Sequence, residues 1–186
     1  MNDLTPGFAS AFAAQACFRA ILTAFSTPGH LVRLPADLTP PLGLSIASAA
    51  LLLTLADAHT KIALPDDVSI QPWLRFHTGA PPSPQEEADF CVARRYPALS
   101  TLRQGTDETP EDSATLILDV ETMDGPIFQL SGPGLAHPVE VALPLDEPFL
   151  LSWQAQTRNT PRGVDVILCA GDQILALPRS VRIEKG

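Results

Sequence analysis

Lysine is nearly missing from this chain. Ten arginines stand against two lysines, Lys61 and Lys185, in 186 residues. Chemistry that needs a lysine amine, such as a Schiff base, is confined to those two positions. Positive charge is scarce altogether: 12 basic residues face 21 acidic ones, for a net charge of −9. The electrostatic footprint of a nucleic-acid binder is therefore missing. Charged residues reach only 18%, below the ~25% usual for globular chains. With 45% hydrophobic residues, that composition excludes a disordered chain. Three cysteines, Cys17, Cys91 and Cys169, are an odd number with no CxxC pair. Neither a disulfide framework nor a cysteine-based zinc site is indicated. Free thiols suit a reducing compartment. Met1-Asn2-Asp3 lacks the basic region of a signal peptide. The longest apolar run, Ile46 to Ala56, is interrupted by Ser48 and Thr54 and falls short of the ~20 residues that span a bilayer. These absences predict a cytoplasmic protein with neither nucleic acid nor membrane as partner.

Proline is what the chain has in excess. Its 19 prolines are roughly twice the ~5% average, so many reversals are expected. The length predicts a single domain over 1–186, large enough to bury roughly 70% of its unfolded surface. Ser10 to Ser26 reads as an amphipathic helix, with Ala14, Phe18, Ile21, Leu22 and Phe25 on one face and Gln15 and Arg19 off it. Thr27-Pro28-Gly29 stops it. Leu42 to Ala56, apolar nearly all round, reads as a buried helix. With the low charge, it leaves apolar surface to hide, and a homodimer is expected. Asp66 to Thr78 is ambiguous: Asp66 or Asp67 suits a helix N-cap, but Pro72 sits inside. Pro97 to Gln104 reads as a short helix, and Asp146 to Gln156 as another, with Phe149, Leu150 and Trp153 on one side. Short strands are expected at His30–Leu34, Thr60–Leu64 and Ala88–Ala93. Ala114–Val120 is a clear strand, with Asp124-Gly125 as a hairpin signal leading into Ile127–Leu130. Val164–Cys169 and Gln173–Leu177 form a second hairpin across Ala170-Gly171-Asp172. Val181–Glu184 is a last strand. The fold class that follows is α/β, with a mixed, partly antiparallel sheet and flanking helices.

Chemical motifs are few. Neither GxGxxG nor GxxxxGK[ST] occurs, and Gly132-Pro133-Gly134 reads as a strand-ending turn. No serine lies in GxSxG. Cys17 and Cys169 sit among apolar residues and read as inert core. Asp66-Asp67 and Glu86-Glu87 read as solvated surface. The histidines, His30, His59, His77 and His137, show no metal-ligand spacing. His59, with Asp57 and Thr60, reads as a junction satisfying backbone groups. If Arg75-Phe76-His77 is extended, Arg75 and His77 share a face. A guanidinium beside an imidazole suits a phosphate or phosphonate, and the same pair suits a partner contact or a loop clamp. No catalytic residue, cofactor site or metal site emerges.

Six segments in order are nonetheless familiar. They are Phe18-Arg19-Ala20-Ile21-Leu22 running to Ser26-Thr27-Pro28-Gly29; Leu51 to Asp57 with Thr60; Leu74-Arg75-Phe76-His77-Thr78-Gly79-Ala80; Gly105-Thr106, Pro110-Glu111 and Ala114 to Leu118; Leu130-Ser131-Gly132-Pro133-Gly134; and Gly163-Val164-Asp165 with Gly171 and Ala176-Leu177-Pro178-Arg179. Together the chain resembles the PhnH family, one of the components of the bacterial carbon–phosphorus lyase system. It departs at Phe25, where the family often has Met, and at Thr160-Pro161-Arg162, where the family usually has an aromatic residue followed by Pro-Leu. The resemblance implies an accessory subunit in phosphonate breakdown, joined to the G, I and J subunits of that system. With the L subunit, such a complex transfers the ribose triphosphate of ATP onto an alkylphosphonate. It also implies a homodimer in isolation, and a fold related to the large domain of pyridoxal-phosphate-dependent transferases without the cofactor. Lys61, lacking a glycine-rich phosphate cup, agrees with the last point. The rival reading is a self-sufficient enzyme or anion-binding protein using Arg75 and His77.

Overall fold

The computed structural model describes residues 4–65 and 70–186. Four α-helices are found among them: α1 (Ala11–Ser26), α2 (Ile46–Leu55), α3 (Ile70–Thr78) and α4 (Glu147–Thr157). The strands are β1 (Val32–Arg33), β2 (Ile62–Ala63), β3 (Phe90–Ala93), β4 (Thr115–Asp119), β5 (Ile127–Ser131), β6 (Val139–Ala142), β7 (Asp165–Ala170), β8 (Gln173–Leu177) and β9 (Arg182–Lys185). Six strands form one sheet in the order β1-β8-β7-β4-β3-β2, and three form another in the order β6-β5-β9. In the large sheet β2, β3, β4 and β7 run parallel. β8 turns back antiparallel to β7 and pairs β1 on its far side.

Strand alternation builds two cores, because successive side chains point to opposite faces. Val92, Ile117, Ile167, Cys169, Ile174 and Ala176 face α1, α2 and α3. Cys91, Leu116, Leu118, Val166, Leu168, Leu175 and Leu177 face the other way, onto Phe149 and Trp153 of α4 and Phe128 and Leu130 of the small sheet. The central strands read as unbroken apolar runs because both faces are covered.

Helix ends follow their caps. Ser10, Ser45 and Asp146 each accept a hydrogen bond from a backbone N–H three residues on, at Ala13, Ser48 and Phe149. Ser45 therefore starts α2 at Ile46, four residues later than expected, and Leu42 to Leu44 form a turn in which Leu44 N–H donates to Pro41 O. Residues 47–52 of α2 are buried as it packs against α1 and α3. Most of the helix's apolar surface is thus covered within the chain, while Leu42, ahead of it, is exposed. α3 is helical through Pro72, which sits in its first turn, where the missing N–H would have no partner. The expected caps, Asp66 and Asp67, lie outside the described residues.

Two expectations fail. Ala114–Val120 and Ile127–Leu130 do not pair as a hairpin. β4 is hydrogen-bonded on both sides, to β3 and β7, and has no edge to offer. β5 instead pairs β6 and β9 in the small sheet. Pro126 directs this crossing: its carbonyl accepts from Leu143 N–H, which ties the segment to the end of β6. Likewise Pro97–Gln104 makes only a single 3-10 turn, Leu99–Thr101. The Gln104 side chain donates to the carbonyls of Leu99 and Leu102 and so closes the turn before a helix can continue.

Candidate functional site

In open α/β sheets, ligands gather outside the carboxyl ends of parallel strands. Here two recesses open beside the end of β3. One, of about 570 Å³, lies between β3, β4 and the start of α2; its walls include Gly43, Ser45, Arg94, Tyr96, Asp119 and Thr122. The other, of about 890 Å³, includes Ser83, Gln85, Arg94, Arg95 and Tyr96. Arg94 and Tyr96 belong to both.

The first recess is braced by Asp119, the last residue of β4. Its carboxylate accepts from Ser45 N–H at 3.2 Å, from Ser45 Oγ at 2.5 Å and from Ser48 Oγ at 2.6 Å. A negative charge is favoured at a helix N-terminus, and Asp119 supplies it to α2 from the neighbouring strand. The amide position that an external anion would otherwise use is already taken. Across the recess, Arg94 donates from Nε and Nη2 to Gly43 O at 3.0 and 2.8 Å. Tyr96 OH donates to Pro144 O. Burial, with the nearby Asp146 charge adding to it, pushes the Tyr96 hydroxyl up to about 12. Burial also pushes the Cys91 thiol up to about 11 and raises Cys17 and Cys169. These groups move away from neutrality, so they do not supply an acid or base matched to pH 7. The recess is mainly apolar in its lining, with the Asp119, Arg94 and Tyr96 contacts bracing its walls.

Arg75 and His77 do not form the expected pair. Both lie on α3, where residues two apart are turned by about 200°. The extended geometry that would align them is absent. Arg75 is exposed, whereas the His77 ring is partly buried. His77 Nε2 lies 2.9 Å from Thr5 O, and Trp73 Nε1 donates to the same carbonyl at 3.0 Å. The imidazole also meets the Trp73 and Phe76 rings edge-on, each at 5.0 Å. It therefore helps to hold the segment leading into α1.

The remaining motifs sit where their residue types suggest. Asp57 Oδ1 accepts from His59 N–H at 2.8 Å and Thr60 Oγ1 at 2.9 Å; these bonds, the His59 amide first, lower the pKa of its carboxyl. Gly132-Pro133-Gly134 is a turn after β5, with Leu135 N–H donating to Gly132 O. Glu86 and Glu87 are exposed, and Glu87 pairs with Lys61 at 3.3 Å. Among the described residues, no group of three His, Cys, Asp or Glu side chains is placed to hold a metal.

Arg179 was not legible as a key residue. Its Nη1 donates to Pro110 O at 2.7 Å, to Gly163 O at 2.9 Å and to Ser113 Oγ. Its backbone N–H donates to Asp165 Oδ1 at 2.7 Å, and its Nη2 lies 3.7 Å from Asp165 Oδ2. One guanidinium thus locks the fourth and sixth familiar segments together. Their shared membership of the ordered pattern was the available signal.

The fold and its recesses define an α/β protein with a braced cleft at the carboxyl ends of its parallel strands. Residues 6–184 match the family described as bacterial phosphonate metabolism protein, PhnH. A relative from Rhizobium meliloti (strain 1021), named alpha-D-ribose 1-methylphosphonate 5-triphosphate synthase subunit PhnH, is 34% identical over 94% of this chain and 92% of its own length. A putative C-P lyase subunit protein, HtxG, from Stutzerimonas stutzeri is 34% identical over 91% of this chain and 85% of its own length. The chain belongs to the PhnH family.

Proposed function

We propose that this chain is an accessory subunit of a carbon–phosphorus lyase complex. It supports ATP-dependent formation of a ribose 1-phosphonate 5-triphosphate from an alkylphosphonate. The observation that carries this is the family match from residue 6 to residue 184, joined to the similarity to a named synthase subunit over nearly all of both chains. Its partners are the G, I and J subunits, with L in the transfer step, and its place is the cytoplasm. Among the described residues no helix is long and apolar enough to cross a membrane. The chain acts as one unit over 1–186 and forms a homodimer when isolated. Arg75, exposed on α3, makes a partner contact, while His77 anchors the chain leading to α1.

The kinship with pyridoxal-phosphate-dependent transferases is carried as part of the same reading. A mixed sheet of mainly parallel strands with helices on both faces supports it. Lys61, half-exposed and paired to Glu87, is poorly placed for a Schiff base. A self-sufficient enzyme built on Arg75 and His77 loses its geometric support, because α3 turns the two apart. The test is reconstitution: purified chain, ATP and methylphosphonate, with and without the G, I and L subunits. Adenine release only with all the subunits present is the expected result. Release by the chain alone would overturn the proposal.

A further inference from the structure

The inner stripe of α1 is narrower than its apolar surface. Cys17, Ile21 and Ala24 face the core and are buried. Phe12, Phe18 and Leu22 are 80%, 43% and 53% exposed. By helical periodicity these three, with Gln15 and Arg19, belong to the outer half of the helix. On α3, in the same layer, Phe76 is 67% exposed beside Arg75. The segment from Thr5 to Ser10 runs from α3 to the start of α1, held at Thr5 by Trp73 and His77. Charge is segregated as well. None of α1, α2 and α3 contains an acidic residue, although the chain has 21. Among the described residues, neither Arg19 nor Arg75 has an ion-pair partner.

We propose that the outer face of the α1–α3 layer docks a different protein chain, one presenting an apolar surface edged by carboxylates. The proposal rests on the reading of this chain as a complex subunit, and names the surface by which it joins. Exposed aromatic side chains interleaved with arginines are the composition of interface centres. Charge complementarity selects the occupant. A two-fold contact between copies would set this layer against itself, and among the described residues its three helices carry no carboxylate to pair with Arg19 or Arg75. A carboxylate-bearing partner pairs both. The homodimer of the isolated chain then uses another surface.

The test is co-purification of the tagged full chain, co-expressed with the G, I and J subunits, comparing wild type with Arg19→Glu/Leu22→Asp. Phe12 is separately replaced by a photo-crosslinking phenylalanine analogue in the assembled complex. We expect the double variant to lose roughly ten-fold or more of the recovered partners. Its melting temperature should stay within a few degrees of wild type, since exposed substitutions are usually worth about 0.5 kcal/mol or less. The crosslink should fall on G, I or J. Recovery equal to wild type, or a crosslink to a second copy of this chain, overturns the surface assignment while leaving the complex intact. Failure of the wild-type chain itself to join G, I and J overturns the underlying functional reading, and the surface assignment with it.

Discussion

Tyr96 is the chain's single tyrosine, so its phenolate absorbance reports on one site. Its hydroxyl is raised to about 12, first by burial and then by Asp146, from about 10 in an unfolded chain. A raised constant means that the folded state holds the proton more tightly. The resulting stability is present below pH 10 and is lost as pH climbs from 10 through 12. Absorbance at 295 nm should therefore show little phenolate at pH 10 in the native protein and about half in urea. A native midpoint near 10 would contradict the closed Tyr96–Pro144 wall. The thiols give a parallel reading, since Cys17, Cys91 and Cys169 are all buried. A thiol-specific chromogenic disulfide should react slowly with the native chain and with three groups after unfolding. Arg75 differs from both, because nothing covers it. Arg75→Ala should leave the melting temperature nearly unchanged and weaken assembly with the companion subunits. Earlier melting with normal assembly would make Arg75 a structural clamp instead.

Elements were legible where one physical rule governed them. α4 and the β7–β8 hairpin follow directly from caps, periodicity and turn residues. For α1 the bounds follow but not the face, since Cys17, Ile21 and Ala24 turn inward while Phe18 and Leu22, expected on the core side, are exposed. The β4–β5 pairing was misread because Asp124-Gly125 is a local turn signal, whereas an unbroken apolar run such as Leu116-Ile117-Leu118 belongs in the middle of a sheet. Local chemistry lost to burial on two faces. β6 was not foreseen at all: Val139-Glu140-Val141-Ala142 is short and lies between prolines, with no signal of its own. The clefts were invisible for another reason. Asp119 at the end of β4 and the Arg94–Tyr96 segment after β3 are distant in the chain, and only the parallel pairing brings them together. Asp119 can be tested as a cap. Asp119→Ala should cost about 1–2 kcal/mol, because α2 loses its N-terminal anion and Ser48 Oγ is left buried without an acceptor. Urea denaturation reads this directly, and Asp119→Asn should recover part of the loss.

At the scale of the whole molecule, Arg179 fastens segments far apart in the chain: the Pro110–Ser113 loop, Gly163 and the start of β7. Replacing it with methionine keeps much of the packing and removes the donors. We expect a loss of about 2–3 kcal/mol, as befits hydrogen bonds from a charged group, seen as a lower urea midpoint with an unchanged slope. A neutral result would show that the loops hold one another without it. This clamp was hidden in the sequence because none of its acceptors except Ser113 and Asp165 is a side chain. Backbone carbonyls leave no trace in composition.

The position of β1 has a consequence for how the protein is made. Val32 pairs with Ile174, and Arg33 with Gln173, while α1 packs on β8 and β1. The beginning of the chain thus meets α2 early but has no sheet to rest on until β8 has left the ribosome. At roughly 5–20 residues per second, the oily first helix waits on the order of ten seconds before the sheet can close over its inner stripe. A polypeptide stopped short of β8 would leave α1 packed on α2 without the sheet beneath it. Completion of synthesis, rather than emergence of any early segment, is what commits this molecule to its shape.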